Sequence, residues 1–381
     1  MVQNTEFETP ITIIGGGIGG LTLARVLQVN GIPTKVYESD TSRDARTQGG
    51  QLDIHEYNGQ VALKKAQLTE AFQSIIQKGA DAARIVGENG DILLDVPDDE
   101  SNGRPEVLRG DLRNILIDSL KEDTIAWGKK VDHVEKTDNN QYKVVFRDET
   151  SIVTDKLIGA DGAWSKVRKL LTNITPHYSG TTFIETYLYD VDYNYPKTAQ
   201  EVGKGAMYAL THNKGIVAHR EANNIIHTYV QMNCSEEWID HIDFSNGNQA
   251  VQTVAAEFEG WASEIKALIT ETDSHIIPRK IYALPDEHRW APQSGVTLIG
   301  DAAHLMAPSG EGANLAMLDG AELAELIAAH KGNFDTAIRK YEEQMFPRSE
   351  EEAKESHELL EICLGPDSPD SLIKLFQSAD Q

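Results

Sequence analysis

The sequence predicts an α/β fold: a parallel sheet that opens with a βαβ unit, an inserted antiparallel sheet, and a C-terminal helical segment. Three observations carry this. The short apolar run Ile11-Thr12-Ile13-Ile14 ends in glycines and precedes a mostly apolar helical stretch. The middle of the chain alternates apolar and polar residues between turn signals. An apolar strand pattern then returns near residue 296, ahead of a charged helical tail. The 381 residues suit two domains, or one domain with a large insertion. The expected division is 1–174 and 285–333 for the two parts of the parallel-sheet domain, 175–284 for the inserted sheet domain, and 334–381 for the helical segment.

Each element has a local reason. Ile11 to Ile14 reads as a buried parallel strand, and Ile18 to Val29 as a helix stopped by Asn30-Gly31. Thr34 to Glu38 is the second strand, completing βαβ. Asp111 to Leu120 places Leu112, Ile115, Leu116 and Leu120 on one helix face. Lys143 to Phe146 and Ile152 to Ile158 read as strands around a polar turn. Phe183 to Tyr193, Ala206 to Leu210, Ile216 to His219 and Ile225 to Met232 form the inserted sheet, with turns at Asn213-Lys214-Gly215 and Asn223-Asn224. Helices over Gln249 to Phe258 and Ala262 to Ile269 decorate it. Val296 to Ile299 is the returning strand. Beyond Phe334 the chain is helical, with a kink expected at Pro347.

Composition narrows the function. A formal net charge of −25 would repel a phosphate backbone, so nucleic acid is a poor partner. An anionic ligand would need a local basic patch against this field. No window approaches the apolar length that spans a bilayer. Met1 to Thr9 lacks the pattern of a secretory signal. The two cysteines, Cys234 and Cys363, suit packing in a reducing cytosol, and no metal site is expected.

The chemistry lies in three motifs. Gly15-x-Gly17-x-x-Gly20 is a dinucleotide fingerprint between a strand and a helix. Gly15 allows the tight turn, Gly17 lets a pyrophosphate approach the backbone, and Gly20 lets helix and sheet pack. The helix N-terminus offers free N–H groups to phosphate. Glu38, 18 residues past Gly20, can accept protons from both ribose hydroxyls. Downstream, the run Gly159 to Arg168, containing Asp161-Gly162, follows a strand. Gly300-Asp301-Ala302-Ala303-His304 follows another and precedes a helix starting near Gly312. An aspartate there can accept from a ribityl hydroxyl, and that helix can aim its dipole at a flavin N1/C2 carbonyl. The cofactor expected from the three motifs together is FAD.

In this order the motifs resemble the class A flavoprotein monooxygenases, the aromatic hydroxylases with a para-hydroxybenzoate-hydroxylase-like FAD-binding fold. The resemblance covers nearly the whole chain. It implies non-covalent FAD, NADPH as electron donor without a second Rossmann domain, oxygen transfer from a flavin C4a-hydroperoxide, and a C-terminal helix bracing both domains. Val36-Tyr37-Glu38, Gly49 to His55, Arg109-Gly110-Asp111-Leu112-Arg113 and Lys340 to Phe346 look like the TetX-type tetracycline-inactivating monooxygenases. By that similarity Asp53, Arg113 and Asp301 contact FAD and Arg46 contacts NADPH, with Arg109, Asp161, Gly312 and Asn314 in the same cofactor site. Arg46 and Arg113 offer forked donors in a chain short of positive charge. A Gln, an Arg and a His bind the polar edge of tetracycline in that group. Glu185, Lys214 and His227 stand there in this chain, so only the histidine matches.

The expected function is therefore an NADPH- and O2-dependent hydroxylase of a polycyclic enol or phenol, tetracycline-like first, with antibiotic inactivation as its consequence. The alternatives are a hydroxylase of another aromatic or heterocyclic metabolite, a same-fold flavin reductase, and a protein that sequesters a planar ligand. No protein nucleophile is required, so no catalytic side chain is named. The expected state is a cytoplasmic monomer acting on a small molecule.

Overall fold

A computed structural model describes residues 9–46, 49–77, 82–97 and 104–379. The opening residues, read above as unlike a secretory signal, lie outside these except for Thr9. The chain divides into two compact units. One comprises Met1–Ile76, Val107–His177 and Tyr282–Lys354; the other comprises Gln77–Glu106, Tyr178–Ile281 and Glu355–Gln381.

The first unit is built on a five-stranded sheet in the order Val296–Leu298, Leu157–Gly159, Ile11–Ile14, Thr34–Tyr37, Ile125–Ala126. Every neighbouring pair is parallel. Ile11, Ile13, Leu157 and Leu298 are fully buried, as continuous apolar runs in a doubly covered parallel sheet should be. The helices Ile18–Val29 and Glu311–Ala329 pack together against it. One expected strand is really two. Ser151–Thr154 pairs antiparallel with Tyr142–Phe146 in a small three-stranded sheet, whereas Leu157–Gly159 joins the parallel sheet. The polar pair Asp155-Lys156 is where the chain changes sheets, and Lys156 O accepts from Thr12 N at 2.9 Å.

The second unit holds a seven-stranded sheet in the order Ile277–Ala283, His177–Leu188, Ile225–Asn233, Lys214–Glu221, Ala206–Thr211, Ala83–Val86, Ile92–Val96. The central pairs are antiparallel, but Ala83–Val86 runs parallel to Ala206–Thr211. Residues 77–106, placed by sequence with the nucleotide-binding domain, therefore group here, because their two strands extend this sheet. The strand expected over Phe183 to Tyr193 starts earlier and stops at Leu188. Asp190 takes a left-handed conformation (φ 48°), and a short helix, Val191–Asn194, follows. One sheet face, with Ile184, Ile216, Ala218, Ile226 and Val230, is buried under the helices Gly247–Ala256 and Ser263–Thr270.

The helix Phe334–Leu364 runs 31 residues through Pro347. The proline removes the bond to Glu343 O without ending the helix. This segment is not a unit of its own: it groups with the first unit through Lys354 and with the second from Glu355. No described helix is long and apolar enough to cross a membrane.

Candidate functional site

The glycine turn has the geometry its motif requires. Gly15 sits at φ +108°, and a Cβ there would lie 2.1 Å from Ala160 O. Gly17 is the N-cap of the helix, and a Cβ on it would meet nothing within 4 Å, so the space before the helix N-terminus is open to a phosphate. Gly20 lies inside the helix, where a Cβ would come 2.2 Å from Gly15 O. Glu38 follows the second strand and is 7 % exposed. Its Oε2 accepts from Gly16 N at 2.5 Å, and its Oε1 accepts from Ser39 Oγ at 2.9 Å and Asp40 N at 2.8 Å. These bonds fix the carboxylate, and its remaining lone pairs can accept from ribose hydroxyls. A cavity of about 470 Å³ is lined by Gly15, Gly17, Glu38, Arg46, Asp161 and Lys166, among others. The residues present fit a dinucleotide.

Asp161 lines the same cavity, and its carboxylate is held by its own loop. Its Oδ1 accepts from Ser165 Oγ at 2.6 Å, and its Oδ2 accepts from Lys166 N at 2.7 Å and Val167 N at 3.3 Å. Burial pushes its pKa up against the pull of these donors. The carboxylate thus shapes its own loop on the cavity wall. Arg168, in the same run but not singled out from sequence, is buried. It donates to Ala302 O at 3.0 Å, Asp301 O at 3.3 Å and Ala163 O at 2.5 Å. It staples the Asp161 loop to the Gly300-Asp301 loop. The available signal was a guanidinium directly after a motif.

The Gly300-Asp301 loop is held from below. Gly300 has φ +58°, and its N–H donates to Asp319 Oδ2 at 2.9 Å. His304 Nε2 lies 2.6 Å from the same oxygen, and Arg348 Nη2 lies 2.8 Å from Asp319 Oδ1. Burial would raise the pKa of Asp319, yet His304 and Arg348 hold it below the usual carboxylate range. Burial likewise works against a charged His304, and Asp319 outweighs it and raises the pKa. The sequence placed His304 at the end of the motif but did not reveal Asp319 and Arg348, which lie 15 and 44 residues away along the chain. Asp301 itself opens the short helix Asp301–His304 with an exposed side chain.

The remaining residues lie at several places. Gly312 lies in the first turn of the helix Glu311–Ala329, where a Cβ would meet nothing within 4 Å. Asn314 is fully buried, accepting from His55 N at 3.0 Å and donating to Asp53 O at 2.9 Å. His55 bridges Asp53 Oδ2 at 2.8 Å and Glu311 Oε1 at 2.6 Å. Burial alone would raise the Glu311 pKa, but bonds from His55 and Tyr57 hold it low. Asp53 and Asn314 therefore brace this helix end; His55 and Glu311 were missed as its partners. Arg113 is buried behind the glycine turn, 5.5 Å over the Trp127 ring, and donates to Arg43 O at 3.0 Å. Burial lowers its pKa. Arg109 starts the helix Arg109–Asp118 with its side chain exposed. Arg46 is 63 % exposed on the cavity wall, paired with Asp40 at 3.1 Å.

In the second unit the three expected substrate residues do not come together. Glu185 pairs across strands with Tyr229, and Tyr187 with His227, so these four share one sheet face. His219, opposite His227, shares it too. Lys214 pairs with Met232, an odd number of positions away, and so points to the other face. There its ammonium bonds Glu257 O and lies 5.6 Å from the Phe258 ring. Glu185 is forked by Arg279 at 3.1 and 3.2 Å, a partner the sequence did not announce. His227 is 1 % exposed, stacked on Tyr187 at 4.2 Å and tilted against Tyr229 at 4.4 Å. Its Nδ1 lies 3.1 Å from Glu221 Oε1, and its Nε2 has no partner among the described residues. Cys234 and Cys363 are free and partly buried, and burial raises the Cys363 thiol to about 11.

The family described as "FAD binding domain" matches residues 8–355. Monooxygenase penA of Penicillium thymicola is 27 % identical, over 93 % of this chain and 94 % of its own. The structure of Klebsiella pneumoniae HpxO with FAD and uric acid superposes with a TM-score of 0.78 at 20 % identity, covering 99 % of this chain and 94 % of the other. The tetracycline destructase Tet(51) gives a TM-score of 0.68 at 22 % identity, covering 91 % and 88 %. These two structures share the para-hydroxybenzoate-hydroxylase-like fold expected from the sequence.

Proposed function

The chain belongs to the FAD binding domain family and is an FAD-dependent monooxygenase, and we propose that it uses NADPH and O2 to hydroxylate a planar phenol or enol. Bound flavin supplies the oxygen-transfer chemistry. The chain's own residues hold it: Gly17 and the helix N-terminus for the pyrophosphate, Glu38 for the ribose, Asp301 for the ribityl chain, and the helix from Glu311 toward the ring. Arg113, Asp53 and Asn314 support that cradle, Arg109 stands at its edge, and Arg46 faces the reductant.

The observation that carries the substrate class is His227. An imidazole whose Nδ1–H points to Glu221 keeps Nε2 as an acceptor, and a buried acceptor without a partner suits a hydroxyl donor. Tyr187 and Tyr229 flank it as flat surfaces, and burial, with the nearby Glu185, pushes both phenols far up, keeping them neutral donors. A phenol or enol offers both an aromatic or conjugated plane and an acidic hydroxyl.

A polycyclic, tetracycline-like enol is the first specific candidate, supported by the motif resemblance; a urate-like heterocycle is the second. The altered edge at Glu185 and Lys214 weakens the tetracycline match. The test is aerobic incubation of holoprotein and NADPH with tetracycline, simple phenols and urate, read by mass spectrometry. A product heavier by one oxygen identifies the substrate. NADPH oxidation yielding only peroxide with every compound overturns the hydroxylase reading, and anaerobic turnover with another acceptor replaces it with a reductase. A cytoplasmic, monomeric enzyme completes the reading, and gel filtration checks the monomer.

A further inference from the structure

The cavity beside Glu38 has a basic rim that no role above absorbs. Its wall includes Lys129, Lys130, Arg147 and Lys166 beside Arg46. Two of these are already paired. Arg46 is held by Asp40, and Lys129 by Asp148 at 2.6 Å and Thr150 at 3.0 Å. The side chains of Lys130, Arg147 and Lys166 have no hydrogen-bond or ion-pair partner among the described residues. The backbone keeps them together. Arg147 N donates to Lys130 O at 2.8 Å, and Lys166 N is fixed by Asp161. Glu38 and Asp161 on the cavity wall are opposing charges, as is the exposed Asp132, which lies within the field of Arg147 and Lys166 and is hydrogen-bonded to His133.

Unpaired cations are notable here because acids outnumber bases 60 to 35. Three cations without a carboxylate partner among the described residues nevertheless face one cavity. On the same wall Trp164 is 60 % exposed, held edge-on by Tyr282 at 5.0 Å. An exposed indole beside unpaired cations offers a stacking surface for a base next to charges for its phosphates.

We propose that Lys130, Arg147 and Lys166, with Trp164 beside them, form an electropositive rim that captures the phosphate-bearing adenosine end of a dinucleotide. Two sources share that chemistry: FAD on its way into the cleft, and the nicotinamide dinucleotide that reduces it. The rim supplies the local positive field that an anion needs to approach a chain of net charge −25. The flavin arm rests on family membership alone; the reductant arm rests on the proposed NADPH dependence.

The test uses the full-length chain with Lys130→Glu, Arg147→Glu and Lys166→Glu combined, and a second variant with glutamine at the same positions. In the first arm, protein stripped of flavin is mixed with FAD, and quenching of flavin fluorescence is followed. Steering predicts wild-type association that slows as salt rises, and at low salt an association about tenfold slower in the charge-reversed variant. The glutamine variant falls between, and dissociation rates agree within about twofold. In the second arm, anaerobic holoprotein is reduced by NADPH in stopped flow. Capture of the reductant predicts an apparent Kd about tenfold higher in the reversed variant. A change in one arm assigns the source, and a change in both assigns the rim to both. Salt-independent FAD association in the wild type together with unchanged NADPH affinity in both variants overturns the proposal. Failed turnover with a normal first arm would count against the monooxygenase reading and leave the rim standing.

Discussion

Arg168 spreads its guanidinium over three carbonyls from two loops that meet only in the folded chain. Replacing it with methionine keeps much of the volume and strands those acceptors. A buried acceptor without a donor costs about 1–3 kcal/mol, so Arg168→Met should lower stability by roughly 2–4 kcal/mol. It should also weaken FAD binding by tenfold or more, because the Asp301 loop loses its tie. Urea unfolding and flavin titration check the two effects, and unchanged FAD affinity would show that the staple is purely structural. Gly15→Ala fails for a different reason: φ +108° and a backbone oxygen 2.1 Å from the new methyl leave no room. That variant should be purified without flavin. His304 gives a pH dependence. Its folded pKa is raised above the ordinary 6.5, so the stability it contributes is complete below 6.5 and is lost as pH rises through the higher folded value. Asp319, with a lowered pKa, works in the opposite sense, losing its contribution as pH falls through its folded value. The melting temperature should decline on the alkaline side of the histidine range, and His304→Gln should flatten that decline. An identical slope in the variant would remove His304 as the cause.

At the scale of elements, strand parity decides what a residue can do. Lys214 and His227 lie in adjacent strands and look equivalent as sequence, but their registers put them on opposite faces. Lys214→Gln should therefore leave substrate affinity within about twofold, costing at most the contacts with Glu257 and Phe258. His227→Gln should raise the substrate Kd by about tenfold, the scale of one hydrogen bond to a polar ligand group. Calorimetry on oxidised holoprotein separates binding from turnover, and a large effect at Lys214 would contradict this assignment. The same logic explains the misread hairpin. Ile152 to Ile158 has one apolar pattern, and only the partner strands reveal that it serves two sheets. The helix Glu311–Ala329 was legible from its glycines and apolar face. Its bracing by Asn314, His55 and Glu311 was not, since those partners are more than 250 residues apart.

For the whole molecule, charge and cofactor modulate a stability that rests on buried apolar cores. A net charge of −25 favours expansion through self-repulsion, and salt screens it. Holoprotein should gain melting temperature between about 10 mM and 0.5 M salt, before specific ion effects enter. FAD binds the folded chain and not the unfolded one, so an excess of about 100 Kd should add about 2.7 kcal/mol. A melting temperature independent of FAD concentration would argue against the cleft described above.

The sequence by itself determined the cofactor class and the α/β frame. Glycines at a strand-to-helix turn, and aspartates after two later strands, are local constraints that few other structures need, so Gly15, Gly17, Gly20, Glu38, Asp301 and Gly312 could be singled out by pattern alone. It also determined that an anion would need a basic patch, without locating one. Tertiary structure decided the rest. Arg168, Asp319 and Arg348 act through partners brought close only by folding. Lys214 left the face that Glu185 and His227 share because register, not residue type, sets direction. The strands Ala83–Val86 and Ile92–Val96 joined the second sheet through a parallel pairing with Ala206–Thr211. Local chemistry is written in short stretches of chain, while hydrogen bonds between distant segments and the face a side chain occupies depend on which strands become neighbours.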